Sequence, residues 1–124
     1  MDKRRRTIGI YIRVLTKKPT GQGYSLDEQR KEAIQEAYKL YGDNIDLRFY
    51  VDEGNCAKST YRKELNRMMH DTEKGDLDAV ITNKLSQLSR NLSDSLSLVE
   101  KIHGENVNFI SVTEGEYNPY HVVL

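Results

Sequence analysis

The sequence has little that would suit a membrane protein, a disulfide-stabilised protein or a strongly basic nucleic-acid coat. Its single cysteine, Cys56, excludes an internal disulfide, and no apolar run approaches the roughly 18 residues of a membrane-spanning helix. The 19 lysines and arginines are balanced by 19 aspartates and glutamates, so bulk attraction to nucleic acid is disfavoured. We therefore expect a cytoplasmic protein with no membrane partner, in which any phosphate binding is local.

The chain also shows no internal repeat, low-complexity tract or linker. Its 124 residues suit one domain with one hydrophobic core, so we expect a single domain over residues 1–124. The basic start is followed by too short an apolar run to be a secretory signal. The three histidines show no ligand spacing with one another or with Cys56, so no metal site is predicted.

Strand-like and helix-like patterns alternate along the chain. Apolar β-branched runs and alternating residues predict strands at 8–14, 47–51, 77–82 and 107–112. Helical spacing predicts helices at 26–41, 62–74 and 92–102, each stopped by a glycine: Gly42, Gly75 and Gly104. In the second strand, Leu47, Phe49 and Val51 alternate with Arg48 and Tyr50, which indicates one more exposed face and a position near an edge. The order predicts an α/β fold of three layers, with a mainly parallel central sheet and helices on both faces.

Polar clusters follow three of these strands, at 11–16, 52–62 and 83–90. The ligand crevice of an open α/β sheet lies beyond the carboxyl ends of its strands, so the three clusters are predicted to face one site. Each cluster carries an arginine, namely Arg13, Arg62 and Arg90, and guanidinium groups suit phosphate oxygens. The alternative is that each arginine pairs separately with a surface carboxylate such as Asp52 or Glu53, and spacing alone leaves both interpretations open.

Four segments in this order closely resemble the catalytic domain of serine recombinases, the resolvase, invertase and phage-integrase enzymes. The segments are Tyr11-Ile-Arg-Val-Leu-Thr16, Tyr24-Ser-Leu-Asp-Glu-Gln29, Asp52-Glu-Gly and Lys84-Leu-Ser-Gln-Leu-Ser-Arg90. The resemblance runs from about residue 8 to residue 114, and the second segment is similar to the large integrase branch. It implies a resolvase-like fold and DNA strand exchange through a phosphoserine intermediate, with no metal or nucleotide cofactor.

The resemblance also implies roles for individual side chains. Arg13 is expected to contact the scissile DNA phosphate, with Arg62 closing on it from the loop after the second strand and Arg90 lining the same pocket. Four further residues, Tyr11, Gln29, Asp52 and Cys56, are expected to support the site.

The chain departs from the family pattern where the reaction depends on it most. Leu15 stands at the position of the nucleophilic serine, and a leucine side chain has no lone pair to attack phosphorus. Ser86 and Gln87 replace an aspartate and an arginine, and Cys56 stands where a serine is common. Gln87 can donate a hydrogen bond to phosphate but brings no positive charge, which should weaken transition-state stabilisation. We therefore predict that cleavage by this chain is impaired or absent.

Neither nearby candidate is predicted to replace the nucleophile. Thr16 is adjacent to Leu15 in extended backbone, so its side chain should point to the opposite face. Cys56 is intrinsically more nucleophilic, but no base or resolving cysteine can be assigned to it, and an inert thiol is favoured.

The sequence stops at Leu124, where the family continues into a dimerisation helix and DNA-binding domains, and Pro119 would interrupt such a helix. We therefore expect weak contact of the domain alone with the DNA backbone, and a homo-oligomer or an assembly with an intact recombinase as partners. Two hypotheses stay open: a recombinase catalytic domain that is inactive in cleavage, and a non-enzymatic module that binds DNA or a recombinase. A receiver-type domain is disfavoured because no paired acidic residues follow the first strand.

Overall fold

The computed structural model describes residues 5–15, 26–54 and 62–117. The strands are β1 (Arg6–Leu15), β2 (Ile45–Gly54), β3 (Ala79–Thr82), β4 (Asn108–Ser111) and β5 (Gly115–Glu116). The helices are α1 (Leu26–Tyr41), α2 (Lys63–Glu73) and α3 (Leu92–Gly104), and a short 3₁₀ turn (Leu85–Gln87) follows β3. The predicted alternation of strands and helices is confirmed, and β5 is an addition that the sequence pattern did not predict.

The strands form one sheet in the order β2-β1-β3-β4-β5. The pairs from β2 to β4 are parallel, whereas β5 runs antiparallel to β4. The edge position predicted for β2 is confirmed. α1 packs on one face of the sheet and α2 and α3 pack on the other, so the predicted three-layer α/β fold is also confirmed.

Two apolar clusters, one on each face of the sheet, hold the layers together. Side chains alternate between the faces of a strand, so Ile8, Ile10 and Ile12 of β1 pack towards α1 while Tyr11 packs towards α2 and α3. All four of these side chains are fully buried. Each buried isoleucine contributes on the order of 1.5–3 kcal/mol, and burial on both faces makes β1 the strand about which the sheet is built.

The helix ends follow the predicted glycines, with one difference. Gly42 and Gly75 have φ angles of 80° and 82°, the left-handed conformation that glycine adopts without strain. α3 ends at Gly104 as predicted, but the left-handed residue is Asn106, at φ 64°, which asparagine tolerates better than most residues. No helix among the described residues is long and apolar enough to cross a membrane.

A buried carboxylate ties α2 to β2. Asp71 accepts a hydrogen bond from the Tyr50 hydroxyl at 2.6 Å and another from Arg48 Nη1 at 3.3 Å. Tyr50 is therefore fully buried, although the sequence places it on the same face of β2 as the exposed Arg48. Burial, reinforced by the bond to Asp71, raises the pKa of Tyr50 to about 12.

Tyr50→Phe is expected to lower the free energy of unfolding at neutral pH. The difference in this free energy between the variant and the native chain should become smaller at alkaline pH. The folded protein holds the Tyr50 proton more tightly than the unfolded chain, whose tyrosines ionise near pH 10. The stabilisation is therefore complete below about pH 10 and is lost as the pH rises towards about 12. Urea unfolding of both proteins across this range measures the difference, with Tyr38→Phe at an exposed position as the control. A difference that is independent of pH would contradict the expectation.

Candidate functional site

The carboxyl ends of the central strands bring polar residues to one edge of the sheet. β1 and β2 pair continuously as far as Leu15 with Gly54, so Arg13 lies beside Asp52. β3 is shorter, and its last pair with β1 joins Thr82 to Tyr11. The end of β1 therefore extends past β3, and the turn Leu85–Gln87 packs against this extension.

The guanidinium of Arg62 connects the start of α2 to the other two segments. Its Nη2 donates to the Tyr11 hydroxyl at 2.8 Å and to the Gln87 carbonyl at 2.5 Å, and its Nη1 donates to the Leu88 carbonyl. The charge also lies 5.5 Å from the centroid of the Tyr11 ring, within cation–π distance. Its Nε is buried and has no acceptor among the residues that the structure describes. Arg62 is thus held in a fixed position by three hydrogen bonds.

Asp52 of β2 holds the start of α2 in place. Its carboxylate accepts from the backbone N–H groups of Glu64 at 2.9 Å and Leu65 at 3.1 Å, which have no partner within the helix. Arg62, the residue before α2, supplies no side-chain cap, so Asp52 fills that role from another strand. The same carboxylate accepts from the Tyr11 hydroxyl at 2.7 Å.

Tyr11 is a neutral hydrogen-bonding residue between Asp52 and Arg62. Burial raises its pKa first, the bond to Asp52 raises it further, and the charge of Arg62 opposes both effects only in part. Its hydroxyl therefore keeps its proton, donates to Asp52 and accepts from Arg62. Asp52 and Arg62 are therefore joined through the Tyr11 hydroxyl. This differs from a direct ion pair between an arginine and Asp52, which was the alternative interpretation of the sequence.

The charges of Arg62 and Arg90 act on the third arginine of the polar clusters, Arg13. Arg13 is partly buried, and burial, followed by the positive charges of Arg62 and Arg90, lowers its pKa. Arginine keeps its charge at neutral pH despite such a shift, so Arg13 lies within the influence of two further positive charges. That arrangement attracts an anion. The part each arginine plays in binding DNA stays a prediction.

The third polar cluster is held by contacts to its backbone as well as by Arg62. The Glu114 carboxylate accepts from the backbone N–H of Leu85 at 3.0 Å, and the Ser95 hydroxyl donates to the carbonyls of Leu85 and Ser89. The Gln87 side chain accepts from the backbone N–H of Arg13 at 2.7 Å through its Oε1. Glu114 and Ser95 were missed in the sequence because a partner on the backbone leaves no side-chain pattern to recognise.

Two further predicted residues, Gln29 and Ser86, take no part in the contacts of Arg62. Gln29 lies on α1, on the opposite face of the sheet from α2, and its buried Oε1 has no hydrogen-bond partner within the described part of the chain. Its backbone carbonyl accepts from the buried Asn83, which the sequence did not single out. Ser86 is exposed in the turn, Leu15 is the last residue of β1, and Cys56 lies outside the described residues, as does Thr16. Within the described ranges, no three His, Cys, Asp or Glu side chains gather as a metal site.

Comparison with known proteins identifies the family. The chain matches the family described as Resolvase, N terminal domain over residues 8–122, and it belongs to that family. A putative DNA recombinase of Bacillus subtilis (strain 168) is 34% identical over 110 residues, which are 89% of this chain and 21% of the relative. An uncharacterized immunity region protein 3 of Bacillus phage phi105 is 34% identical over 70 residues, which are 56% of this chain and 83% of that protein. The chain thus spans about a fifth of the length of the bacterial relative.

Solved structures with the same architecture confirm the predicted resolvase-like fold. The N-terminal catalytic domain of TP901-1 integrase is 29% identical with a TM-score of 0.71, covering 89% of this chain and 79% of that one. A resolvase family site-specific recombinase from Streptococcus pneumoniae is 30% identical with a TM-score of 0.61, covering 90% and 74%. The catalytic domain of ISC1926 TnpA, an IS607-like serine recombinase, shares the fold at 20% identity and a TM-score of 0.66, covering 86% and 70%.

Proposed function

We propose that this chain is a site-specific recombinase catalytic domain that binds a DNA phosphodiester at the edge formed by Arg13, Arg62 and Arg90 without cleaving it. The observation that carries the proposal is the fixed position of Arg62 between Tyr11 and the third polar cluster, beside Arg13. A cation held in place before the ligand arrives loses little freedom on binding, so it favours an anion more than a mobile side chain does.

The arginines contribute differently to such a site. Both Nη atoms of Arg62 already donate to protein acceptors and its Nε is buried, so Arg62 supplies a fixed positive charge rather than a free two-donor fork. Arg13 lies at the end of β1, where its guanidinium can present a two-donor fork to phosphate oxygens. Arg90 adds a third charge from the exposed end of the third polar cluster.

The absence of cleavage follows from the residue types. Leu15 carries no oxygen at the position where the family pattern has its nucleophilic serine. The Tyr11 hydroxyl does not replace it, because its raised pKa keeps the proton on and because it is engaged with Asp52 and Arg62. The attack on phosphorus therefore has no agent among these residues.

Binding and cleavage can be measured in one sample of the native chain with a labelled, nicked DNA duplex. We expect a complex in fluorescence anisotropy at about 50 mM salt, weakening steeply as salt increases, and no adduct on a denaturing gel. Arg13→Ala should weaken binding and reduce the salt slope by about one, whereas Arg5→Ala, at the opposite end of β1, should not. A covalent adduct would contradict the absence of cleavage, and no complex at low salt would contradict binding.

A second candidate function is a non-enzymatic regulator that assembles with an intact recombinase. It is favoured by the phage relative, an immunity region protein of which this kind of domain makes up most of the length. Such a regulator should lower strand exchange by an intact resolvase-family recombinase in proportion to its concentration, and should co-elute with it in size-exclusion chromatography. Strand exchange that is unaffected by an excess of the chain would exclude this function.

A further inference from the structure

The extension of β1 past β3 leaves backbone groups that no strand of the sheet pairs on that side. Tyr11 is the last residue of β1 that pairs with β3, and the Arg13 N–H lies beyond that pair. The Thr82 hydroxyl donates to the Tyr11 carbonyl at 2.9 Å, and Gln87 Oε1 accepts from the Arg13 N–H at 2.7 Å. The Gln87 side chain thus supplies the acceptor for the backbone of β1 where β3 stops.

Gln87 is tied to both arginines that meet at this point. Its side chain holds the backbone of Arg13, and its own backbone carbonyl accepts from Arg62 Nη2 at 2.5 Å. The 3₁₀ turn that carries Gln87 is itself held by Glu114 and Ser95, which bind the backbone N–H and carbonyl of Leu85. The separation between the Arg13 backbone and the Arg62 guanidinium therefore depends on one residue that is itself firmly held.

Residue chemistry limits what can stand at this position. The Arg13 N–H is partly buried and is paired with an acceptor, which glutamine or glutamate can supply through a side-chain oxygen. Lysine and arginine carry donors only, so a cation here could not accept from the Arg13 N–H. The arginine of the family pattern and the contact seen here exclude each other.

We propose that Gln87 is a positioning residue, which fixes the end of β1 and so sets Arg13 against Arg62 in the phosphate site. Its importance for DNA rests on the proposed function, whereas its effect on the Arg13 backbone does not. Gln87 thus acts through an acceptor atom rather than through charge, and the site is built around glutamine rather than being a weakened version of an arginine site.

Amide hydrogen exchange of the whole chain, followed by NMR, tests the contact directly. Gln87→Met has a similar length and no strong acceptor, so exchange of the Arg13 amide should become about tenfold faster or more. Gln87→Glu keeps an acceptor oxygen and should retain the protection. The Ile10 amide in the middle of β1 should exchange equally slowly in all three proteins, which shows that the fold is intact. Unchanged protection of Arg13 in Gln87→Met would overturn the proposal.

DNA binding separates positioning from charge. If only charge mattered at this position, Gln87→Arg would bind a nicked duplex more tightly than the native chain. We expect it to bind several-fold more weakly, and we expect Gln87→Met to have no further effect once Arg13→Ala is present. Tighter binding by Gln87→Arg, or full additivity with Arg13→Ala, would overturn the proposal. Failure of the native chain to bind DNA would instead refute the proposed function, and the exchange measurement alone would then decide the role of Gln87.

Discussion

Replacing Leu15 by serine is expected to give a protein that forms a covalent link to DNA where the native residue forms none. The substitution puts a hydroxyl two residues beyond Arg13, at the end of β1. Removing the serine nucleophile of an unrelated hydrolase costs on the order of a million-fold in rate, so the reverse change should bring the reaction from undetectable to measurable.

The effect is best measured in a chimera in which residues 8–122 replace the matching segment of the Bacillus subtilis relative, so that the domain is tested within a longer recombinase-like chain. The adduct is detected on a denaturing gel with a nicked duplex. Leu15→Ala is the matched control, because it removes the bulk of leucine without adding an oxygen. An adduct in the native or the Leu15→Ala chimera would contradict the role assigned to Leu15, as would a Leu15→Ser chimera that binds DNA and forms no adduct.

Asp52→Ala is expected to lower the free energy of unfolding by about 2–4 kcal/mol, a large effect for one substitution near the surface. The change removes the acceptor for two amides of α2 and for the buried hydroxyl of Tyr11. Loss of the acceptor for the Tyr11 hydroxyl should make the largest contribution, because a buried donor without a partner costs more free energy than an average hydrogen bond contributes. DNA affinity should fall as well, because the Tyr11 hydroxyl, one of the three acceptors that hold Arg62, is then no longer fixed by Asp52.

Urea denaturation measures this loss, and two further variants show its origin. Asp52→Asn keeps one acceptor oxygen, so it should cost less than Asp52→Ala. Glu53→Ala changes the next, exposed residue of β2 and should stay within about 0.5 kcal/mol of the native chain. If Asp52→Ala and Glu53→Ala have the same free energy of unfolding, the Asp52 carboxylate does not hold α2.

The fold could be predicted because its elements are encoded locally. Periodicity marked the strands and helices, Gly42 and Gly75 marked two helix ends, and the alternation in β2 marked an edge strand. The burial of Tyr50 could not be predicted in this way. It depends on Asp71, a carboxylate supplied from α2, and no pattern within β2 indicates that partner.

The site was predictable only as a set of residue types at one edge of the sheet. The sequence suggested Arg13, Arg62 and Arg90 from their positions at or beyond the carboxyl ends of strands, but it assigned Asp52 a general supporting role. Its actual contacts cap a helix that begins eleven residues later in the chain, which requires knowing how α2 approaches β2. Gln87 is a similar case, because its loss of charge was visible in the sequence and its acceptor contact to the Arg13 backbone was not.

The most direct measurement is an NMR titration of the native chain with a short DNA duplex, following the Nε–H signals of its arginines. If Arg13, Arg62 and Arg90 surround one phosphate, their three signals should shift together with a single dissociation constant, while those of Arg5 and Arg48 stay unchanged. Shifts confined to Arg5 and Arg48, or separate affinities for the three arginines, would contradict a common phosphate site.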